Sequence, residues 1–195
     1  MTITFWFDPI CPFTWRTSRW ARGIAERRGE TIRWRFVSLA VLNEGRDVPE
    51  QYRDRIAWGR QAHPVLAAAD AGCGQQAVDR LYTVIGQRIH EHDAQPNAAT
   101  LAEAIAEADL PADLAGAADD SEWDTVVRAS HEEAQARVGT ETGSPVIALG
   151  GGPAFFGPVV VPIPDGADAD RLFEALQLLS TVPQFSELKR ARNAL

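Results

Sequence analysis

The chain has 195 residues, 45% of them hydrophobic and 24% charged, the balance of one globular domain or of one domain carrying an insertion. That balance excludes a disordered, collagenous or disulfide-stapled chain. Asp and Glu total 27 against 19 Lys and Arg, a formal net charge of −8, which argues against nucleic acid or an anionic membrane as the main partner.

Ile3 to Phe7 is short and continuously apolar, as in a strand buried on both faces of a parallel sheet. No leader pattern precedes it, and no apolar stretch approaches the ~20 residues that span a bilayer. The expectation is a cytoplasmic protein in a reducing compartment. Asp8-Pro9-Ile10-Cys11-Pro12 reads as a turn, with Pro12 suited to the first helical position. Phe13 to Arg28 has helical spacing, and Arg28-Gly29-Glu30 ends it with basic residues where the helix dipole favours them. Ile32 to Val37 alternates with period two and reads as a strand, so the first forty residues or so predict β-α-β with a parallel pair.

No strand pattern occurs from Pro49 to Arg137. The spacing predicts helices over Pro49–Ala71, disturbed at Pro64, and over Gly74–His92, Ala98–Ala108 and Ser121–Arg137. Ser121 with Asp124 reads as a capping-box-like start. Strands return at Pro145–Leu149 and Ala154–Val161, the latter shortened or confined to an edge by Pro158 and Pro162. A helix over Asp168–Leu179 and a short terminal one over Phe185–Asn193 complete the plan. The order is β-α-β, a helical block, then β-β-α. Without the block it is a thioredoxin-like order, so the predicted fold is α/β, thioredoxin-like, with an all-helical insertion. The boundaries are 1–45 and 139–195 for the thioredoxin-like domain and 46–138 for the insertion.

Two cysteines, Cys11 and Cys73, cannot form a disulfide framework. Cys11 lies between a buried strand and the first turn of a helix, where free amide hydrogens and the positive end of the helix dipole stabilise an anion. A thiolate there has a lowered pKa and is the nucleophile of thiol–disulfide exchange. Thr14, three residues on, can donate its hydroxyl hydrogen to the sulfur. Cys73, between two glycines, reads as structural.

The segment Phe5-Trp6-Phe7-Asp8-Pro9-Ile10-Cys11-Pro12-Phe13-Thr14-Trp15 resembles the active-site run of the DsbA-like branch of the thioredoxin superfamily. Thr17-Ser18-Arg19-Trp20, Ser38 to Asp47, Arg88-Ile89-His90, Phe155-Phe156-Gly157-Pro158 and Glu187 to Arg190 are similar to the actinobacterial mycothiol-dependent, nitroreductase-like reductases of that branch. The resemblance implies mycothiol as the reducing thiol and a catalytic group of Cys11, Pro12 and Thr14. It also places a cis-proline at Pro145, with the backbone of Ser144 pairing to a thiol substrate. One departure matters: the family pattern is Cys-Pro-x-Cys, and here Thr14 stands at its second cysteine. The internal resolving thiol is absent, which favours monothiol chemistry.

Other positions carry two readings each. Asp8 is a proton acceptor for Cys11 if burial raises its pKa, or a turn cap. Phe13 and Trp15 form an aromatic wall beside the nucleophile, or pack in the core. Asn43 and Tyr52 hydrogen-bond a polar substrate at the cleft mouth, or serve the loop and helix surface. The resemblance puts His90 on the substrate pocket, against a solvated helix end. His90 and His92, two apart on a helix, make poor joint metal ligands, and no metal is expected.

The expected function is a monothiol thiol–disulfide oxidoreductase acting through a mixed disulfide on Cys11. Its partners are a small-molecule thiol and an electrophilic or disulfide substrate, with a homodimer left open. Kappa-class glutathione transferases and chromene-carboxylate isomerases share the fold plan and usually carry serine at the first position. A transferase or isomerase is therefore the alternative, and a non-enzymatic redox sensor is the second alternative.

Overall fold

The computed structural model describes residues 1–191. A four-stranded sheet has the order β2-β1-β3-β4, built from β1 (Thr2–Phe7), β2 (Thr31–Phe36), β3 (Val146–Leu149) and β4 (Ala154–Phe156). β1 and β2 are parallel, with Phe5 opposite Trp34 and Phe7 opposite Phe36, joined through α1 (Pro12–Arg28). β3 runs antiparallel to both β1 and β4. α1 stops where Gly29 takes φ 65° and its N–H returns to the Ala25 carbonyl, a left-handed cap that a Cβ would strain.

Strand alternation divides the interior in two. Ile3, Phe5 and Phe7 of β1 and Ile147 and Leu149 of β3 join the main core, with Trp20 and Ile24 of α1 and Phe173 of α7 (Gly166–Leu179). Trp6, Val146 and Ala148 point the other way, onto Ala134 of α6 (Ser121–Val138). Phe7 stacks on Tyr82 at 4.0 Å between ring centroids, and Trp34 meets Phe5 edge-on at 5.5 Å. Each such ring, withdrawn from water, contributes about 1.5–3 kcal/mol. The first contact ties the sheet to the helical block, since Tyr82 belongs to α4 (Gln75–Gly86).

The block departs from the sequence reading in several places. α3 (Glu50–Cys73) runs through Pro64 without interruption. The stretch expected as one helix to His92 changes at Gly86 into a wider π turn over Gln87–Glu91. α5 (Ala98–Glu107) starts from Asn97, whose side chain accepts the Thr100 N–H at 2.9 Å. Asp120, not Ser121, caps α6, accepting the Glu122 N–H at 2.9 Å. A short α2 (Leu39–Leu42) and a 3-10 segment (Ala112–Asp119) had no expectation. β4 ends at Phe156, so Val159 to Val161 is not a strand; Pro158 and Pro162 lack the N–H that a ladder needs. The expected terminal helix is absent over residues 185–191, and the rest of its range lies outside the described residues.

Candidate active site

Cys11 occupies the N-cap position of α1, with Pro12 as the first helical residue. The turn before it closes through the Cys11 N–H, which donates to the Asp8 carbonyl at 3.2 Å. The thiol is only 6% exposed and donates to the Ser144 carbonyl at 3.6 Å. Burial pushes its pKa up, and the charge of Asp8 adds to that rise. The Thr14 hydroxyl and the amides of Thr14 and Phe13 oppose it by hydrogen-bonding the sulfur. The lowered thiol pKa expected from the helix terminus is therefore corrected, because the anion loses more from leaving water than the local donors return.

The Ser144–Pro145 peptide is cis and stands at the entry to β3. It brings Ser144 to both Cys11 and Thr14. The Ser144 hydroxyl lies 2.5 Å from that of Thr14 and accepts the Asp8 N–H at 3.0 Å.

Asp8, fully buried, accepts from Ile10 N–H at 2.9 Å and from Leu39 N–H at 2.6 Å. Both carboxylate oxygens thus hold backbone, closing the turn before Cys11 and tying it to the start of α2. Burial raises its pKa, while the charge of His63 and the two amides pull it down. Both oxygens are engaged as a turn cap, and no hydrogen bond joins the Asp8 side chain to the Cys11 sulfur among the described residues.

Trp15 is 4% exposed and belongs to the core. Its indole N–H donates to Glu91 at 3.1 Å, it meets Tyr82 edge-on at 5.6 Å, and it stacks with His90 at 6.1 Å. Gly86 makes room for it: a Cβ there would come within 2.1 Å of the indole ring. His90 donates through Nε2 to the Pro9 carbonyl at 2.8 Å, and burial lowers its pKa to about 4. It is therefore a neutral ring gripping the turn that carries Cys11. Phe13 is half-buried, and its carbonyl accepts from the Thr17 hydroxyl at 3.0 Å.

No hydrogen bond joins Asn43 or Tyr52 to Cys11 among the described residues. The Asn43 amide donates back to the Leu39 carbonyl at 2.7 Å, and Tyr52 is 51% exposed on the first turn of α3. Cys73 is exposed at the end of α3 and not disulfide-bonded. Sequence reasoning missed His63, which is 1% exposed with Nε2 at 3.3 Å from the Phe7 carbonyl and Nδ1 at 3.1 Å from that of Gly59. It also missed Glu91 and the side chain of Ser144. The one signal was a histidine beside Pro64 within an otherwise apolar run.

A thioredoxin-like sheet with a helical insertion, presenting one cysteine at a helix N-cap beside Pro145, defines a thiol-dependent oxidoreductase that uses a low-molecular-weight thiol. The chain belongs to the Rv2466c-like family, described as mycothiol-dependent nitroreductase Rv2466c, whose model matches residues 10–190. It is 31% identical to the uncharacterized protein Rv2286c of Mycobacterium tuberculosis, over 98% of this chain and 83% of that one. Among solved structures it is similar to the cytosolic disulfide reductase DsbM from Pseudomonas aeruginosa with GSH. The TM-score is 0.64 at 18% identity, covering 91% of this chain and 99% of that one. The probable DsbA oxidoreductase SCO1869 from Streptomyces coelicolor gives 0.63 at 19% identity, covering 98% and 94%. A 2-hydroxychromene-2-carboxylate isomerase gives 0.64 at 16% identity, covering 93% and 95%. At these identities the solved structures share the fold. No helix among the described residues is long and apolar enough to cross a membrane.

Proposed function

We propose that the protein is a cytoplasmic monothiol reductase in which Cys11 alone carries the covalent step and mycothiol supplies the electrons. The observation that carries this reading is Thr14, whose hydroxyl meets Ser144 where a resolving thiol would otherwise stand. The Cys11 thiolate attacks one sulfur of a disulfide substrate. The new sulfur–sulfur bond forms as the old one breaks, and the departing thiolate takes up a proton. A mycothiol thiolate then attacks the mixed disulfide and releases the Cys11 thiolate, and a second mycothiol completes the reduction to mycothiol disulfide. A nitro group is reduced to nitroso on the same balance, two thiols giving two electrons and two protons and water leaving.

Ser144 and Pro145 position the incoming thiol, while residues 46–138 cover the cleft between the parts 1–45 and 139–195. The bonds from His90 to Pro9 and from Glu91 to Trp15 support that assignment, since they run from the insertion to the catalytic turn. The burial of the thiol favours a second reading, a transferase or isomerase in which Cys11 stays non-covalent. Disulfide reduction with mycothiol as sole reductant separates the two. Cys11→Ser abolishes turnover in the first and leaves it substantially intact in the second.

A further inference from the structure

We propose that His131 is a positioning residue for the turn that carries Cys11: its bare Nδ1 holds the Ser38 amide, and a proton taken up there releases the outer anchor of that turn. The ring and Ser38 are both buried, and the Ser38 N–H points at Nδ1 from 3.2 Å. A backbone amide nitrogen only donates, so the contact fixes both the direction of the bond and the tautomer of the ring. Nδ1 presents its lone pair, and the hydrogen of the neutral imidazole sits on Nε2.

β2 is an edge strand, and α6 supplies acceptors to its outer side. Ser130 Oγ accepts the Phe36 N–H at 2.9 Å and His131 Nδ1 accepts that of Ser38, two residues on. Between them the Val37 N–H turns inward to the Phe7 carbonyl at 3.1 Å, as the alternation of a strand requires. From Ser38 the series continues to the thiol. Leu39 N–H donates to Asp8 Oδ2 at 2.6 Å, and Asp8 Oδ1 accepts the Ile10 N–H at 2.9 Å. The Asp8 carbonyl accepts the Cys11 N–H at 3.2 Å. His131 thereby fixes the segment against which Asp8 holds the turn.

A proton on Nδ1 sets one N–H against another and leaves the buried Ser38 amide without an acceptor. α6 packs on α3, β2 and β4. The ionisable groups facing the ring are His63 of α3, Glu44 after α2, and Arg128 and Glu132 of α6 itself. β4 carries none, and of the two arginines of β2, Arg33 is exposed and Arg35 is engaged by Glu133 at 2.6 Å. Burial disfavours the proton most, His63 and Arg128 oppose it further, and Glu132 and Glu44 favour it, with the balance on the side of the neutral ring. The anchor therefore holds at neutral pH and yields in acid.

The inference rests on the reading of Cys11 as the reacting sulfur, but its test involves neither thiol chemistry nor turnover, so the two fail separately. Nitrogen NMR of the histidine rings at pH 7 should show His131 bare at Nδ1 and protonated at Nε2. Amide hydrogen exchange then follows Ser38, Leu39 and Ile10 at pH 7 and pH 4, as protection relative to an unstructured chain, with Phe5 in mid-β1 reporting any loss of the whole fold. His131→Asn keeps an acceptor oxygen in place of Nδ1 and does not titrate, and it leaves Asp8 and His90 as they are. Protection at the three amides should fall about tenfold further in wild type than in His131→Asn, the weight of one hydrogen bond, with no such difference at Phe5. His131→Leu, without an acceptor, should show that tenfold loss already at pH 7. A hydrogen on Nδ1 at pH 7 overturns the proposal. So does an equal fall in wild type and His131→Asn, or a fall at Ser38 and Leu39 that leaves Ile10 unmoved. If His131→Leu does not fold, wild type against His131→Asn decides the matter alone.

Discussion

Gly86→Ala isolates the packing that holds the turn before Cys11. A Cβ at this position would lie 2.1 Å from Cε3 and Cζ3 of Trp15, both atoms of a rigid ring buried in the core. Real Cβ atoms do not approach that closely, so the indole must move by more than 1 Å, on the order of the shortfall from ordinary contact at about 3.5–4.0 Å. That movement pulls on the bond from Trp15 to Glu91 at 3.1 Å and on the stacked His90, which in turn holds Pro9 at 2.8 Å. Overpacking of this kind costs about 1–3 kcal/mol or more, and the ~1 kcal/mol that alanine gains over glycine in a helix offsets only part of it. A net loss of about 2 kcal/mol lowers the melting temperature of a chain this size by roughly 4–8 °C. Thermal unfolding by circular dichroism measures this, and Gly72→Ala is the control. Gly72 lies in α3 with open space where a Cβ would stand, so the same substitution is neutral or stabilising by up to about 1 kcal/mol. Equal melting temperatures for the two variants would refute the reasoning, as would a Gly86→Ala protein more stable than wild type.

Two further outcomes concern titration. The Cys11 thiol ionises above the ordinary ~8.5, and Asp8→Asn brings the midpoint down, because burial raises it first and the Asp8 charge raises it further; a wild-type midpoint below ~8.5 would contradict this. His90 has a pKa of about 4 in the fold against an ordinary 6.5, so acid favours the unfolded chain, which takes up the proton first. Its contribution to stability is complete above pH ~6.5 and is lost as pH falls toward ~4. Denaturant titrations between pH 7 and 4 should show wild type losing about 2–3 kcal/mol more than His90→Gln, and parallel stability curves would show that the ring is not buried as described.

The first strand, first helix and second strand were legible because each obeys a local rule. β1 is a short apolar run, α1 has the helical period with a proline at its start and Gly29 after its end, and β2 alternates. Cys11 could be placed at the helix N-cap because Pro12 suits the first helical position and so puts the residue before it at the cap. What escaped depends on partners far along the chain. Ser144 lies 130 residues from Thr14, so the meeting of their hydroxyls belongs to the tertiary pairing of β3 with β1. His63 looked like part of an apolar helix until Phe7 supplied an acceptor across the core. α2 is four residues long, too short for any period, and is held at its start by Ser38 and Asp8. The thiol pKa was misjudged for the same reason: helix position can be read locally, whereas burial of the sulfur needs the whole fold.

The account rests on Cys11 being the sole covalent sulfur, with no intramolecular exit from its mixed disulfide. The most direct measurement is intact mass followed by peptide mapping of the wild-type protein treated in parallel with the disulfides of mycothiol, glutathione and coenzyme A. The predicted result is one adduct per chain, located on Cys11, formed most readily with mycothiol and absent in Cys11→Ser. Thr14→Cys should yield an adduct-free internal disulfide instead. A wild-type protein that forms a Cys11–Cys73 disulfide, or that takes no adduct from any of the three, would contradict the monothiol mechanism.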